Sequence, residues 1–118
     1  MTNDDDALTL PLPDDCPYTL TRVALGTVPD GGVWVDAVLT HTGEPVARVI
    51  QRGDGGADLL RPLGPGGWAA VDAYREYAAM WGLPHGITWE PADAMTAELL
   101  LRWAEAEGRQ ARQPQPGP

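Results

Sequence analysis

The chain has no Lys, no Ser and no Phe, and only one Cys. Each absence removes some chemistry. A serine nucleophile, a Schiff-base lysine and a phosphate-gripping P-loop lysine are all excluded. Cys16 has no second thiol to pair with inside the chain, which fits a reducing compartment. No apolar run approaches the roughly 20 residues that a membrane-spanning helix needs. The opening MTNDDDALTLPLPDD lacks both the basic start and the apolar stretch of a secretory signal. A cytoplasmic protein without membrane contact is therefore expected. Basic charge is scarce as well: eight arginines face seventeen acids, for a net charge of −9. Contact with a nucleic-acid backbone needs clustered positive charge, so direct binding of nucleic acid is not expected. An acidic balance suits solubility, or a basic protein partner.

What is present fits one small domain. The chain has 118 residues, of which 43% are hydrophobic, enough for a single modest core. Residues 1–16 form a polar, acidic leader, with five Asp and no base in the first fifteen positions. The segment 108–118, ending in RQARQPQPGP, is a Pro/Gln tail without a hydrophobic pattern. Both are expected to be flexible, with residues 17–107 as the folded domain.

The first half of that domain has the alternation of strands. Tyr18 to Thr27 is rich in Thr, Val and Leu and stops at the turn cluster Pro29-Asp30-Gly31-Gly32. Val33 to His41 is the clearest strand, with Val33, Val35, Ala37 and Leu39 on one face and Trp34, Asp36, Val38 and Thr40 on the other. A short break at Thr42-Gly43-Glu44 predicts a hairpin to Pro45–Gln51. A short extended piece can follow at Asp58 to Leu60. The second half changes period. Trp68 to Gly82 places Trp68, Val71, Ala78 and Trp81 near one helical face, widened by Tyr74 and Tyr77. Pro91 opens a second helix with the stripe Ala92, Met95, Leu99, Trp103 and Ala106, joined by Leu100 and closed by Gly108. The expected fold class is α+β: a three-stranded antiparallel meander covered by two C-terminal helices in two layers.

Candidate binding residues fall in three places. The loop RGDGGAD, residues Arg52, Gly53, Asp54, Gly55, Gly56, Ala57 and Asp58, has three glycines in four positions. Such a loop lets the backbone approach a ligand, while Asp54 or Asp58 offers a carboxylate; it equally serves as a plain exit turn. Gly66 and Gly67 open the first helix, where unpaired N–H groups can receive an anion. Trp34 is an anchor for a partner, beside Asp36, if the helices cover the Val35 face, and is core if they cover its own face. Trp68, Trp81 and Trp103 read as core, and Trp89 as a staple ahead of the second helix. His41 and His85 have no companions at metal-ligand spacing, and Cys16 lies in the leader away from either. No catalytic residue, metal or cofactor is expected, and the chain does not read as an enzyme.

The run Val49-Ile50-Gln51-Arg52-Gly53-Asp54-Gly55-Gly56-Ala57-Asp58 resembles a loop of small uncharacterised phage and mobile-element proteins, V-x-N-D-G-x-G-G-x-N. The glycines match, Asp58 takes the last polar position, and Gln51-Arg52 replaces the N-D pair. The likeness covers about 25 residues, Val33 to Asp58, and implies such an ancestry without an activity. Together these features lead to a non-catalytic protein-binding module, of the kind that inhibits host defence as anti-restriction or anti-CRISPR proteins do. The alternative is a small-molecule or nucleotide binder using Gly53–Gly56 and the start of the first helix.

Overall fold

The structure is a computed structural model and describes residues 12–112. Four strands, β1 (Tyr18–Thr27), β2 (Val33–His41), β3 (Glu44–Gln51) and β4 (Leu59–Pro62), form one antiparallel sheet in the order β1-β2-β3-β4. Two helices follow: α1 (Gly67–Gly82) and, after a single 3-10 turn at Leu83–His85, α2 (Pro91–Arg112). The α+β, helix-on-sheet class holds. The expected three strands become four, because Leu59–Pro62 pairs with β3 through Val49↔Leu60 and Ala47↔Pro62. Four residues are too few to display a period of two, and the proline at the last of them falls where a ladder is already ending.

The turns explain the register. Between β2 and β3 the chain reverses at Thr42 and Gly43, both with positive φ (48° and 88°), the pattern of a two-residue primed hairpin turn. Between β1 and β2 the reversal closes on bonds from the Val28 N–H to the Gly32 carbonyl and from the Gly31 N–H to the Val28 carbonyl, both 2.9 Å. β1 carries a bulge between Thr21 and Ala24, where Arg22 takes a left-handed φ of 51°. The bulge shifts the pairing by one residue, so Leu25 and Gly26 face Val35 and Trp34.

The helices cover the Val35 face. Val35, Ala37, Leu39, Ala47, Val49 and Leu60 are buried from the sheet, and Val71, Tyr74, Ala78, Trp81, Met95 and Leu99 from the helices. α1 packs on β3 and β4, while α2 packs on β1 and α1. Each fully buried large side chain contributes about 1.5–3 kcal/mol of apolar transfer. A buried polar pair in the helical layer is satisfied internally: the Thr96 hydroxyl donates to the Ala92 carbonyl (2.8 Å) and accepts from the Tyr74 hydroxyl (2.7 Å).

Four further expectations change. Trp68 is 57% exposed instead of core. It stands in the first turn of α1, and helical side chains lean toward the N-terminus, which carries this one past the end of the helix. Trp89 is 83% exposed and staples nothing. α2 continues through Gly108 to Arg112, since one glycine among good helix formers costs only about 1 kcal/mol. The expected leader also splits: Leu12 is buried and its carbonyl accepts from the Arg102 guanidinium at 3.2 Å, while residues 1–11 lie outside the described residues. Among the described residues no helix is long and apolar enough to cross a membrane.

Candidate functional site

Because both helices lie on one side, the opposite face of the sheet is left open among the described residues. Trp34 is on it, 36% exposed. Alternation and register place Asp36 and Val38 of β2, Arg48 and Ile50 of β3, and Leu59 and Arg61 of β4 on the same face. Val38, Ile50 and Leu59 are half-buried, so with Trp34 they make an apolar band that nothing in the described chain covers.

The charges on this face do not follow the chain's average. Asp36 receives two bonds from Arg48, Nε to Oδ1 at 3.0 Å and Nη2 to Oδ2 at 2.5 Å. That fork holds the Asp36 carboxyl below its ordinary value, chiefly through the hydrogen bond and also through the adjacent positive charge. Arg61 stands directly opposite Arg48 in register. Two arginines therefore share the face with one aspartate. The exposed acids Asp72, Glu76, Glu105 and Glu107 lie on the helices.

Trp34 is held in place by a neighbour with no side chain. Gly26 is its cross-strand partner, and a Cβ at residue 26 would stand 2.6 Å from the indole Nε1 and 2.8 Å from Cε2. The ring occupies the space that any other residue would fill.

The glycine-rich loop joins β3 to β4. Gly53 (φ +82°) passes so close to β2 that a Cβ would lie 3.0 Å from the Val33 carbonyl carbon, and its own carbonyl oxygen packs on Gly32. It is a close-packing glycine. Gly55 (φ +80°) faces open space, and the Gly56 N–H donates to Asp54 Oδ1 at 3.0 Å, a local turn closure. Arg52 is exposed. Gly66 precedes α1 with an ordinary φ of −69° and no side chain caps the helix; the Gly67 N–H, at φ +57°, turns back to the Gly64 carbonyl at 3.4 Å.

Asp58 parts company with the rest of the loop. It lies on the helical side, in a cleft of about 260 Å³ with Arg75 of α1 and with Glu90 and Asp93 at the start of α2. Its N–H donates to Asp93 Oδ2 at 3.4 Å, while its own Oδ2 is buried without a partner. The structure thus brings Trp34 and Asp36 together on the open face and separates them from Asp58. Sequence reasoning missed Glu90 and Asp93, which look like ordinary acids at a helix start; separations of 32 and 35 positions hide their meeting with Asp58.

A larger apolar cleft, about 530 Å³, lies at the C-terminal end of α1 among Leu12, Tyr77, Met80, Trp81 and His85. The His85 and Trp81 rings lie 5.6 Å apart there, and His41 sits against Tyr18 at 4.9 Å. Among the described residues no group of three metal-ligating side chains converges. Compared with protein-family models, curated proteins and solved structures, the chain finds no match.

Proposed function

We propose that the chain is a non-catalytic protein-binding module that docks its partner on the open face of the sheet, with Trp34 as anchor. One observation carries this: an apolar band of Trp34, Val38, Ile50 and Leu59 lies on a sheet face that the protein's own helices leave uncovered. Aromatic residues on such surfaces dominate interface energetics. Trp34 is also fixed against Gly26 before any partner arrives, so little ordering cost falls on binding. An inhibitor of a host defence protein, of phage or mobile-element descent, is the biological role that this module fits.

The distribution of charge favours a second reading for a basic partner. Such a partner would meet the acidic helical layer, since the sheet face holds Arg48 and Arg61 against Asp36 alone. The two readings separate by salt. Affinity capture from bacterial lysate, at low and high salt, is compared for the wild type and Trp34→Ala. Sheet-face docking gives a complex that survives high salt and is lost in Trp34→Ala. A complex that leaves at high salt and ignores the substitution overturns it in favour of the acidic layer.

A further inference from the structure

Three carboxylates meet where the sheet joins the helices. Asp58 is the last residue before β4, Glu90 the last before α2, and Asp93 lies in the first turn of α2. The Asp58 N–H already bonds to Asp93 Oδ2 across this junction. Beside it, Asp58 Oδ2 is shut away from solvent and unpartnered. A buried acceptor without a donor is costly, and a negative charge on it more so.

We propose that Asp58, Glu90 and Asp93 form an acid-closed latch between the start of β4 and the first turn of α2, tightened by protonation of Asp58 and loosened by its ionisation. Protonation supplies what the geometry lacks. It removes one of the charges gathered at this junction and turns Asp58 from a pure acceptor into a group that can also donate.

The surroundings of Asp58 define the working range. On β3, Gln51 hydrogen-bonds the Asp58 carboxyl and favours the charged form. On α2, Asp93 and Glu90 oppose it. On α1, the Tyr74 hydroxyl lies behind it and is itself raised, mainly by burial. Arg75 of α1 lines the same cleft and pairs with Asp72 at 3.5 Å. Burial outweighs the Gln51 bond and lifts Asp58 from 3.8 to about 6. Glu90 is raised as well, through its hydrogen bond and charge contact with Asp93. The segment that responds is the connection before α2, where Glu90 takes a left-handed φ of 46° and Trp89 stands in solvent.

The test follows the Asp58 carboxyl carbon by NMR from pH 4 to 8, with amide hydrogen exchange at Asp58 and at residues 93–96, corrected for intrinsic rates. The wild type should titrate near pH 6, and its amide protection should rise about tenfold from pH 7 to pH 5. Asp58→Asn should show no such rise. Asp93→Asn, which keeps Asp58 but removes a facing charge, should move the Asp58 midpoint down. A wild-type midpoint at or below 4, or protection that stays flat with pH, overturns the latch. So does a rise in protection that persists in Asp58→Asn, because the titrating group would then lie elsewhere. If a variant fails to fold, the wild-type titration and exchange decide alone.

Discussion

The indole of Trp34 lies over Gly26, in the space where a side chain on the neighbouring strand would be. A glycine in a strand normally weakens it, and an aromatic ring from the next strand restores the missing packing. Gly26→Ala should therefore lower stability by about 1–2 kcal/mol, because the ring must leave its position. In a Trp34→Ala background the same change should cost almost nothing, or stabilise β1. Urea unfolding of the four members of this cycle measures the coupling, and additive effects would refute the contact.

The two positive-φ glycines of the β3–β4 loop should differ. Gly55→Ala carries only the left-handed backbone penalty, about 1 kcal/mol. Gly53→Ala carries that and a Cβ pressed 3.0 Å from the Val33 carbonyl carbon, so it should cost at least about 1 kcal/mol more. Denaturation midpoints compare the pair directly. Equal effects would show that the loop does not rest on β2.

Asp58 gives stability a distinct dependence on pH. Its folded value, about 6, exceeds the ordinary 3.8, so the folded protein holds this proton more tightly than the unfolded chain. The resulting stability is fully present below about pH 3.8 and is lost as pH rises through about 6. Asp58→Asn should remove this slope between pH 4 and 6. At pH 7 it should stabilise the protein by about 1 kcal/mol, after allowance for screening of a partly solvated group. Unfolding curves across pH for both proteins make the measurement. Asp36, lowered by Arg48, acts with opposite sign: its contribution is present above its unfolded value and is lost as pH falls through its lower folded value.

The Tyr74–Thr96 pair predicts an asymmetric result. Tyr74→Phe removes a donor but leaves the Thr96 hydroxyl bonded to the Ala92 carbonyl, and should cost about 1 kcal/mol. Thr96→Val strands the Tyr74 hydroxyl with only a 3.5 Å approach to that carbonyl, and should cost about 1–3 kcal/mol. Thermal unfolding of the two variants ranks them, and the reverse order would mean that the hydroxyls are bonded differently.

The pattern of β2 was legible because alternation is a property of neighbours in sequence. Which of its faces the helices cover was not, since Val35, Ala37 and Leu39 on one side compete with Trp34 and Val38 on the other. The structure resolves it in favour of the side without a charge: Asp36 shares the Trp34 face and reaches Arg48 there. β4 showed only as a short extended piece at Asp58 to Leu60, because a four-residue strand is recognised as one only by the β3 edge it joins. Trp68 was misplaced for a related reason. Helical period says which side a residue takes, but the ends of the helix decide whether anything lies opposite. Of the candidate site, Trp34 and Asp36 were visible as residues on one strand face. The meeting of Asp58 with Asp93 depends on tertiary packing alone.

Each strand pairs with its neighbour in sequence, so the whole sheet can assemble as soon as Pro62 is available. Its cover comes later. α2, the last of the described elements, is the helix that closes over β1, and its Arg102 reaches back to the Leu12 carbonyl. On a ribosome adding about 5–20 residues per second, the span from β4 to the end of α2 takes several seconds. Throughout that interval a finished meander would expose Leu20, Leu39 and Val49 on one side and the Trp34 band on the other. The order of the elements along the chain thus leaves the sheet without its full helical cover until α2 has been made.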